Sequence, residues 1–178
     1  MAVLWIPSIR NATAFHLERW RKVCADPSLQ RLPDRIETNR YGHVVMMLPP
    51  GFSHTTRQSA TFAYLLTAMP SGASVEVAVL TEDGIKGIDV AWISENRVKR
   101  GLKDDVLTIA PEICVEVVSP GNTRQEMENK RQLCFAAGAE EVWFCDQKGA
   151  LHLFLKGSEA MVAKASMLCP SMPKRVKV

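Results

Sequence analysis

The chain reads as an α/β protein of the α+β type, with a mixed central β-sheet flanked by helices. Three observations predict this. Apolar spacing switches repeatedly between helical and strand periods along the chain. Short polar turns join neighbouring strand-like runs as hairpins. One strand–helix–strand run, residues 112–145, calls for a parallel, right-handed crossover. At 178 residues a single domain, 1–178, is expected, long enough to bury roughly 70% of its unfolded surface.

Taken in order, residues 13–26 form an amphipathic helix with Phe15, Leu17, Trp20, Val23 and Cys24 as packing residues, and Pro27 stops it. Residues 35–48 form a hairpin about Tyr41-Gly42, with Val44 to Leu48 as its apolar arm. Pro49-Pro50-Gly51 breaks the chain, and Ser53 caps a second helix over 54–69. Strands at 74–81 and 86–93 flank the turn Glu82-Asp83-Gly84. The polar, basic stretch 94–105 is expected as surface loop with a helical turn. Residues 112–118 are the most strand-like in the chain, and Ser119-Pro120-Gly121-Asn122-Thr123 leads into a helix that Gly138 closes. Strands at 141–145 and 151–155 then meet through Asp146-Gln147-Lys148-Gly149. The last twenty residues read as an edge strand or a tail.

Composition narrows the class. Hydrophobic residues at 47% and charged ones at 23% suit a soluble globular protein, and no apolar run approaches the ~20 residues of a membrane span. Residues 1–7 lack the basic lead and length of a secretory leader, so a cytoplasmic address is expected. Cysteines 24, 114, 134, 145 and 169 include no close pair, which argues against a zinc clasp and for reduced, buried thiols. Cys134 has no neighbouring histidine to activate it as a nucleophile. A net charge of +3 is compatible with a polyanionic partner without requiring one. The basic groups Arg97, Lys99, Arg100, Lys103 and Lys174, Arg175, Lys177 read most simply as solvated faces.

Two acidic residues interrupt apolar strands. Asp89 lies in Gly87-Ile88-Asp89-Val90-Ala91-Trp92-Ile93 and Glu116 in Ile113-Cys114-Val115-Glu116-Val117-Val118. Burying a carboxylate there is costly unless it is paired or coordinates a cation. Alternation places Glu116 with Cys114 and Val118, and Asp89 with Ala91 and Ile93. If the strands are neighbours, both carboxylates converge, and the Val117 carbonyl adds a third oxygen of the kind Mg²⁺ accepts. On the following helix, Glu126, Lys130, Leu133, Cys134 and Ala137 share a face, which turns ionic at its first half. Lys130 is then placed to stabilise charge on a phosphate. The plainer alternatives are a solvated Glu126–Lys130 pair and strand-end carboxylates bonded to backbone amides. Trp92 and Trp143 fit the core.

These segments resemble the restriction-endonuclease-like proteins of the Uma-two family. That family carries a "PDVA" strand, matched at its last three positions by residues 89–91, and a "P-x-x-x-x-E-V-x-S-P" strand, matched at residues 111–120. The likeness continues through Asn122-Thr123, Glu126-Met127, Lys130, Ala137-Gly138 and Glu141-Val142-Trp143 to Asp146. Upstream it takes in Arg35-Ile36-Glu37, Gly42, Met46-Met47 and Pro49-Pro50, and downstream residues 168–173. The resemblance implies a PD-(D/E)XK nuclease-like fold and a phosphodiesterase site using Mg²⁺ or Mn²⁺. It gives Asp89 and Glu116 the acidic positions. The lysine usual two residues after the glutamate is Val118 here, so Lys130 is its expected replacement from the helix. Glu37 matches an accessory acidic position, and Glu126 is a second accessory candidate. Isoleucine stands at 88 where proline is usual, and Cys134 where tyrosine is common. His54 and Gln58, one turn apart, are candidate substrate contacts.

The function expected is therefore Mg²⁺-dependent endonuclease cleavage of nucleic acid, with DNA as substrate and a homodimer to cut both strands. The alternatives are a catalytically inactive nucleic-acid-binding module on the same fold, and a protein–protein interaction domain whose charged residues form a structural ion pair.

Overall fold

The computed structural model of the protein describes residues 12–32 and 35–177. Residues 1–7, read above for a secretory leader, lie outside them. In chain order the elements are α1 (Ala12–Ala25), β1 (Arg35–Thr38), β2 (Val44–Met47), α2 (Phe52–Ala68), β3 (Ala73–Thr81), β4 (Gly84–Trp92), α3 (Glu95–Gly101), β5 (Leu102–Lys103), β6 (Val106–Leu107), β7 (Ile113–Val117), α4 (Arg124–Ala136), β8 (Glu141–Cys145) and β9 (Leu151–Leu155). Seven strands form one mixed sheet in the order β5-β6-β3-β4-β7-β8-β9, and β1-β2 form a separate ribbon. β7 and β8 run parallel with α4 as the crossover, while β3-β4, β4-β7 and β8-β9 are antiparallel. The α+β reading holds.

Each face of the sheet has its own core. Ala91, Ile93, Cys114, Val142 and Phe144 pack with Met127 and Cys134 of α4. Val90, Ile113, Val115, Trp143 and Leu153 pack with Leu65 of α2 and Cys169 of the tail. A fully buried side chain such as Leu65 contributes about 1.5–3 kcal/mol relative to exposure. β7 is buried at every position, as a strand covered on both faces must be. No helix among the described residues is long and apolar enough to cross a membrane.

Local signals explain most boundaries. Thr123 caps α4 in a reciprocal capping box with Glu126, and Gly138 at φ 109° ends that helix in a conformation that glycine adopts without strain. Four sequence expectations need correction. α2 starts at Phe52 with Gly51 as its N-cap, so Ser53 lies inside the first turn and caps nothing. Residues 94–105, expected as surface loop with a helical turn, hold a full helix, α3, capped by Ser94, and the short strand β5. Cys24 is exposed, whereas the other four thiols are buried. The final segment is tied down by bridges from Ala163 to Leu153 and from Arg175 to Ala150 and by burial of Cys169 and Val176.

Candidate active site

The pairing of β4 with β7 runs Trp92–Ile113, Ala91–Cys114, Val90–Val115 and goes no further. Beyond it, the Val117 amide donates to the Asp89 carboxylate at 2.8 Å, taking a side-chain oxygen in place of a ladder carbonyl. Side-chain alternation breaks at the same place. Ile88 packs with Ala91 and Ile93 on the α4 side, so one strand position is out of step. Asp89 accordingly does not share the environment of Ala91 and Ile93, as strict alternation required. Its carboxylate meets His54 of α2, whose Nε2 lies 3.3 Å from Oδ2. Only 3% of Asp89 is exposed, so every one of these partners bears on its charge.

Glu116 keeps to the α4 side. It is 2% exposed, and Lys130 Nζ donates to it at 2.6 Å. The helix therefore supplies the ammonium group that Val118 cannot. A cleft of about 470 Å³ opens here, and its lining includes His54, Asp89, Val117, Asn122 and Lys130. The sequence-derived trio of Asp89, Glu116 and Lys130 is thus brought together, with the Val117 main chain beside it.

The electrostatics separate the two carboxylates. Burial works to raise Asp89, but the hydrogen bond from His54, Arg35, Lys130 and the Val117 amide outweigh it and hold the group at about 2. Burial pushes Glu116 up to about 7; Lys130 opposes this, while the charge of Asp89 adds to it. Burial would lower Lys130, yet Glu116 and Asp89 more than compensate and hold the ammonium well above its ordinary range. Lys130 is the fixed cation of its pair, and Glu116 the member that takes up a proton.

Gln58 also reaches the site. Its amide donates to the Asp89 carbonyl at 2.9 Å and to Glu76 at 2.6 Å, fixing the backbone of the acidic residue. Glu37 is buried and accepts from the Gly87 amide at 3.1 Å, so it binds the β1-β2 ribbon to β4 next to the cleft. Glu126 is corrected: it is exposed, and its carboxylate accepts from the Thr123 amide at 2.7 Å within the capping box. The inward face of α4 is Met127, Lys130, Arg131 and Cys134, one step away from the face assigned by spacing. Trp143 is in the core, donating to Glu141 at 2.8 Å.

Two residues escaped the sequence reading of the site. Arg35 donates to Asp89 Oδ1 at 2.6 Å and to the Gly87 carbonyl. A Cβ at position 87 would collide with its guanidinium, so a larger residue there would displace Arg35. Glu76 has φ 53° inside β3, a left-handed conformation rare for a side chain of this size. A signal for Arg35 existed, since it precedes Glu37 by two and shares its strand face. Nothing in the local pattern marks Glu76.

The donor chemistry fits a hard divalent cation, because two carboxylates and a main-chain carbonyl are all oxygen ligands. Among the described residues no group of three or more His, Cys, Asp or Glu is placed to hold a metal. An ion here would complete its shell with water or phosphate oxygens.

Comparison with known proteins bears on the family and the fold. The sequence profile of Uma2, a family described as "Putative restriction endonuclease", matches residues 26–169. A crystal structure from Anabaena variabilis, described as a "putative nuclease belonging to DUF820", superposes with a TM-score of 0.64 at 15% identity. The match covers 82% of this chain and 91% of that one. At that identity the likeness concerns the fold. No curated protein matches the sequence.

Proposed function

The chain belongs to the Uma2 family, and on that premise we propose that it is a metal-dependent endonuclease hydrolysing phosphodiester bonds in DNA, with Mg²⁺ or Mn²⁺ as cofactor. The observation that carries the reading is the grouping of Asp89 from β4, Glu116 from β7 and Lys130 from α4: Asp89 and Lys130 line one cleft, and Lys130 bonds the buried Glu116 behind it. Asp89, Glu116 and the Val117 carbonyl would hold the ion. When bound, such an ion polarises the scissile phosphate and lowers the pKa of a coordinated water.

The protein's own groups do the rest. Lys130, kept charged by its two carboxylate neighbours, stabilises the negative charge that grows on the phosphate oxygens as water adds and the ester oxygen leaves. His54 and the Val117 amide hold the Asp89 carboxylate in orientation, and Gln58 holds its backbone. Two copies related by a two-fold axis would let the enzyme cut both strands of a duplex.

The test is cleavage of supercoiled and linear DNA with and without Mg²⁺ or Mn²⁺, in the wild type and in Asp89→Ala and Glu116→Ala. Metal-dependent cleavage lost in both variants is expected; undiminished cleavage in both overturns the assignment. One observation favours a second reading, a catalytically inactive DNA-binding module: each carboxylate already has a cationic side chain on it, Arg35 and Lys130. That reading expects salt-sensitive DNA binding with no heat of metal binding.

A further inference from the structure

Arg35 sits where a cation on Asp89 would sit, and its surroundings give it somewhere else to go. It belongs to the β1-β2 ribbon, which is not part of the main sheet. Its guanidinium holds Asp89 Oδ1 at 2.6 Å through Nη1, while its Nε lies 3.4 Å from Glu76 Oε2. The register explains this arrangement. Val75 pairs with Val90 and Val77 with Ile88, which sets Glu76 across from Asp89 on the neighbouring strand. Arg35 spans the two acids.

Glu76 pays for its place with backbone strain, since φ 53° costs a non-glycine residue about 1–2 kcal/mol. A side chain with 46% exposure needs a reason to accept that. Arg35 also lines both the 470 Å³ cleft of Asp89 and a neighbouring 650 Å³ cavity walled by Gln58, Phe62, Val75 and Glu76. Together with Pro49 and Pro50 it is common to both linings.

A guanidinium and a divalent ion cannot share one buried carboxylate oxygen, because like charges at that distance repel strongly where water is excluded. We infer that Arg35 is an exchangeable counter-cation: it neutralises Asp89 until a divalent ion binds, then releases Asp89 and keeps its ion pair with Glu76. This rests on the metal reading proposed above. Glu76 is a positioning residue in this scheme, acting through Arg35. The strained strand position keeps its carboxylate within reach while leaving Asp89 to the ion. Gln58 stays bonded to both the Asp89 carbonyl and Glu76, so the frame around the moving side chain is held.

Calorimetric titration of Mn²⁺ into the full chain tests it without any activity measurement. Arg35→Gln should bind Mn²⁺ about tenfold more tightly, the scale of a coupling between linked sites. Glu76→Gln should bind it several-fold more weakly, since Arg35 then keeps only the more distant Glu37, 3.8 Å from its guanidinium, as an alternative to Asp89. The double variant should have the affinity of Arg35→Gln, because Glu76 matters only through Arg35. Additive effects would mean simple charge repulsion and would overturn the exchange. Should Arg35→Gln fail to fold, Glu76→Gln at a half-exposed position still decides: unchanged affinity overturns the proposal. Asp89→Asn separates the two levels. Binding that survives it, or absence of binding in the wild type, overturns the metal reading and the exchange with it. Binding lost in Asp89→Asn but indifferent to Arg35→Gln and Glu76→Gln overturns the exchange alone.

Discussion

Just ahead of β7 and near its far end lie two buried glutamates with different fates. Glu112 accepts from Ser94 Oγ at 2.5 Å and from the Ser94 amide at 3.0 Å, and Arg97 Nε lies 3.3 Å away. Arg97 in turn binds the Ala110 and Gly138 carbonyls and Glu140, so it knits together α3 and the chain leading into β7 and β8. It is a structural crosslink, not a member of a solvated basic face as its neighbours Lys99 and Arg100 suggested. Glu116, four residues on, meets one ammonium group, its carboxyl is driven upward by burial, and its partner Lys130 lines an open cleft. The contrast teaches that burial of an acid says little about its role. What distinguishes the catalytic candidate is incomplete compensation beside a cavity.

The sharpest way to break the comparison is to neutralise both acids. Glu116→Gln should lower cleavage by more than about 100-fold, as loss of charge-stabilising groups in active sites commonly does, whereas Glu112→Gln should leave cleavage unchanged. In Glu112→Gln the loss should instead appear in chemical denaturation, as about 1–3 kcal/mol for an under-satisfied buried partner. Equal activity losses in the two variants would erase the distinction.

The pH profile sharpens it. Folded Glu116 keeps its proton up to about 7, whereas the unfolded side chain releases it near 4.5. The folded state therefore binds more protons in that window, and stability falls as pH rises through it, by up to about 3 kcal/mol. Asp89 works the other way: held at about 2 against an ordinary 3.8, its contribution is present at higher pH and fades as pH falls from 3.8 towards 2. Denaturant unfolding from pH 4.5 to 7.5 should show the decline in the wild type and a flat profile in Glu116→Gln. A decline that persists in the variant would locate its source elsewhere.

Lys130→Met should reduce cleavage about tenfold to a hundredfold, leaving the chain folded because Glu116 can then be protonated. The smallest effect concerns the helix that carries Lys130. Thr123→Ala removes the cap of α4 and should cost about 1 kcal/mol in thermal or chemical unfolding. Glu126→Gln should leave cleavage unchanged, because its carboxylate serves that cap rather than the cleft. A large activity loss in Glu126→Gln would restore it to the site.

Much of the fold was legible because its signals are local. The apolar run around Glu116, the turn at Asp146 and the cap at Thr123 each declare themselves within a few residues. Asp89, Glu116 and Lys130 were legible for a related reason: a charge inside an apolar pattern needs a partner wherever it folds. The face of α4 was misjudged by one position, since helical spacing admits Glu126 and Met127 equally until the sheet selects Met127. The turning of Asp89 towards α2 was hidden too, because it follows from β4 and β7 parting company after Val90–Val115.

What the amino-acid order determined alone is which segments are strands and helices, and which charges would be stranded in apolar surroundings. Tertiary structure decided the counterparts: that Arg35 from a separate ribbon lies across Gly87 onto Asp89, that Glu76 faces the same guanidinium, and that Gln58 braces both. Periodicity is a property of one segment, while strand order and register are properties of several segments packed together. An ion pair linking residues 35, 76 and 89 therefore exists only once the sheet and its ribbon have met.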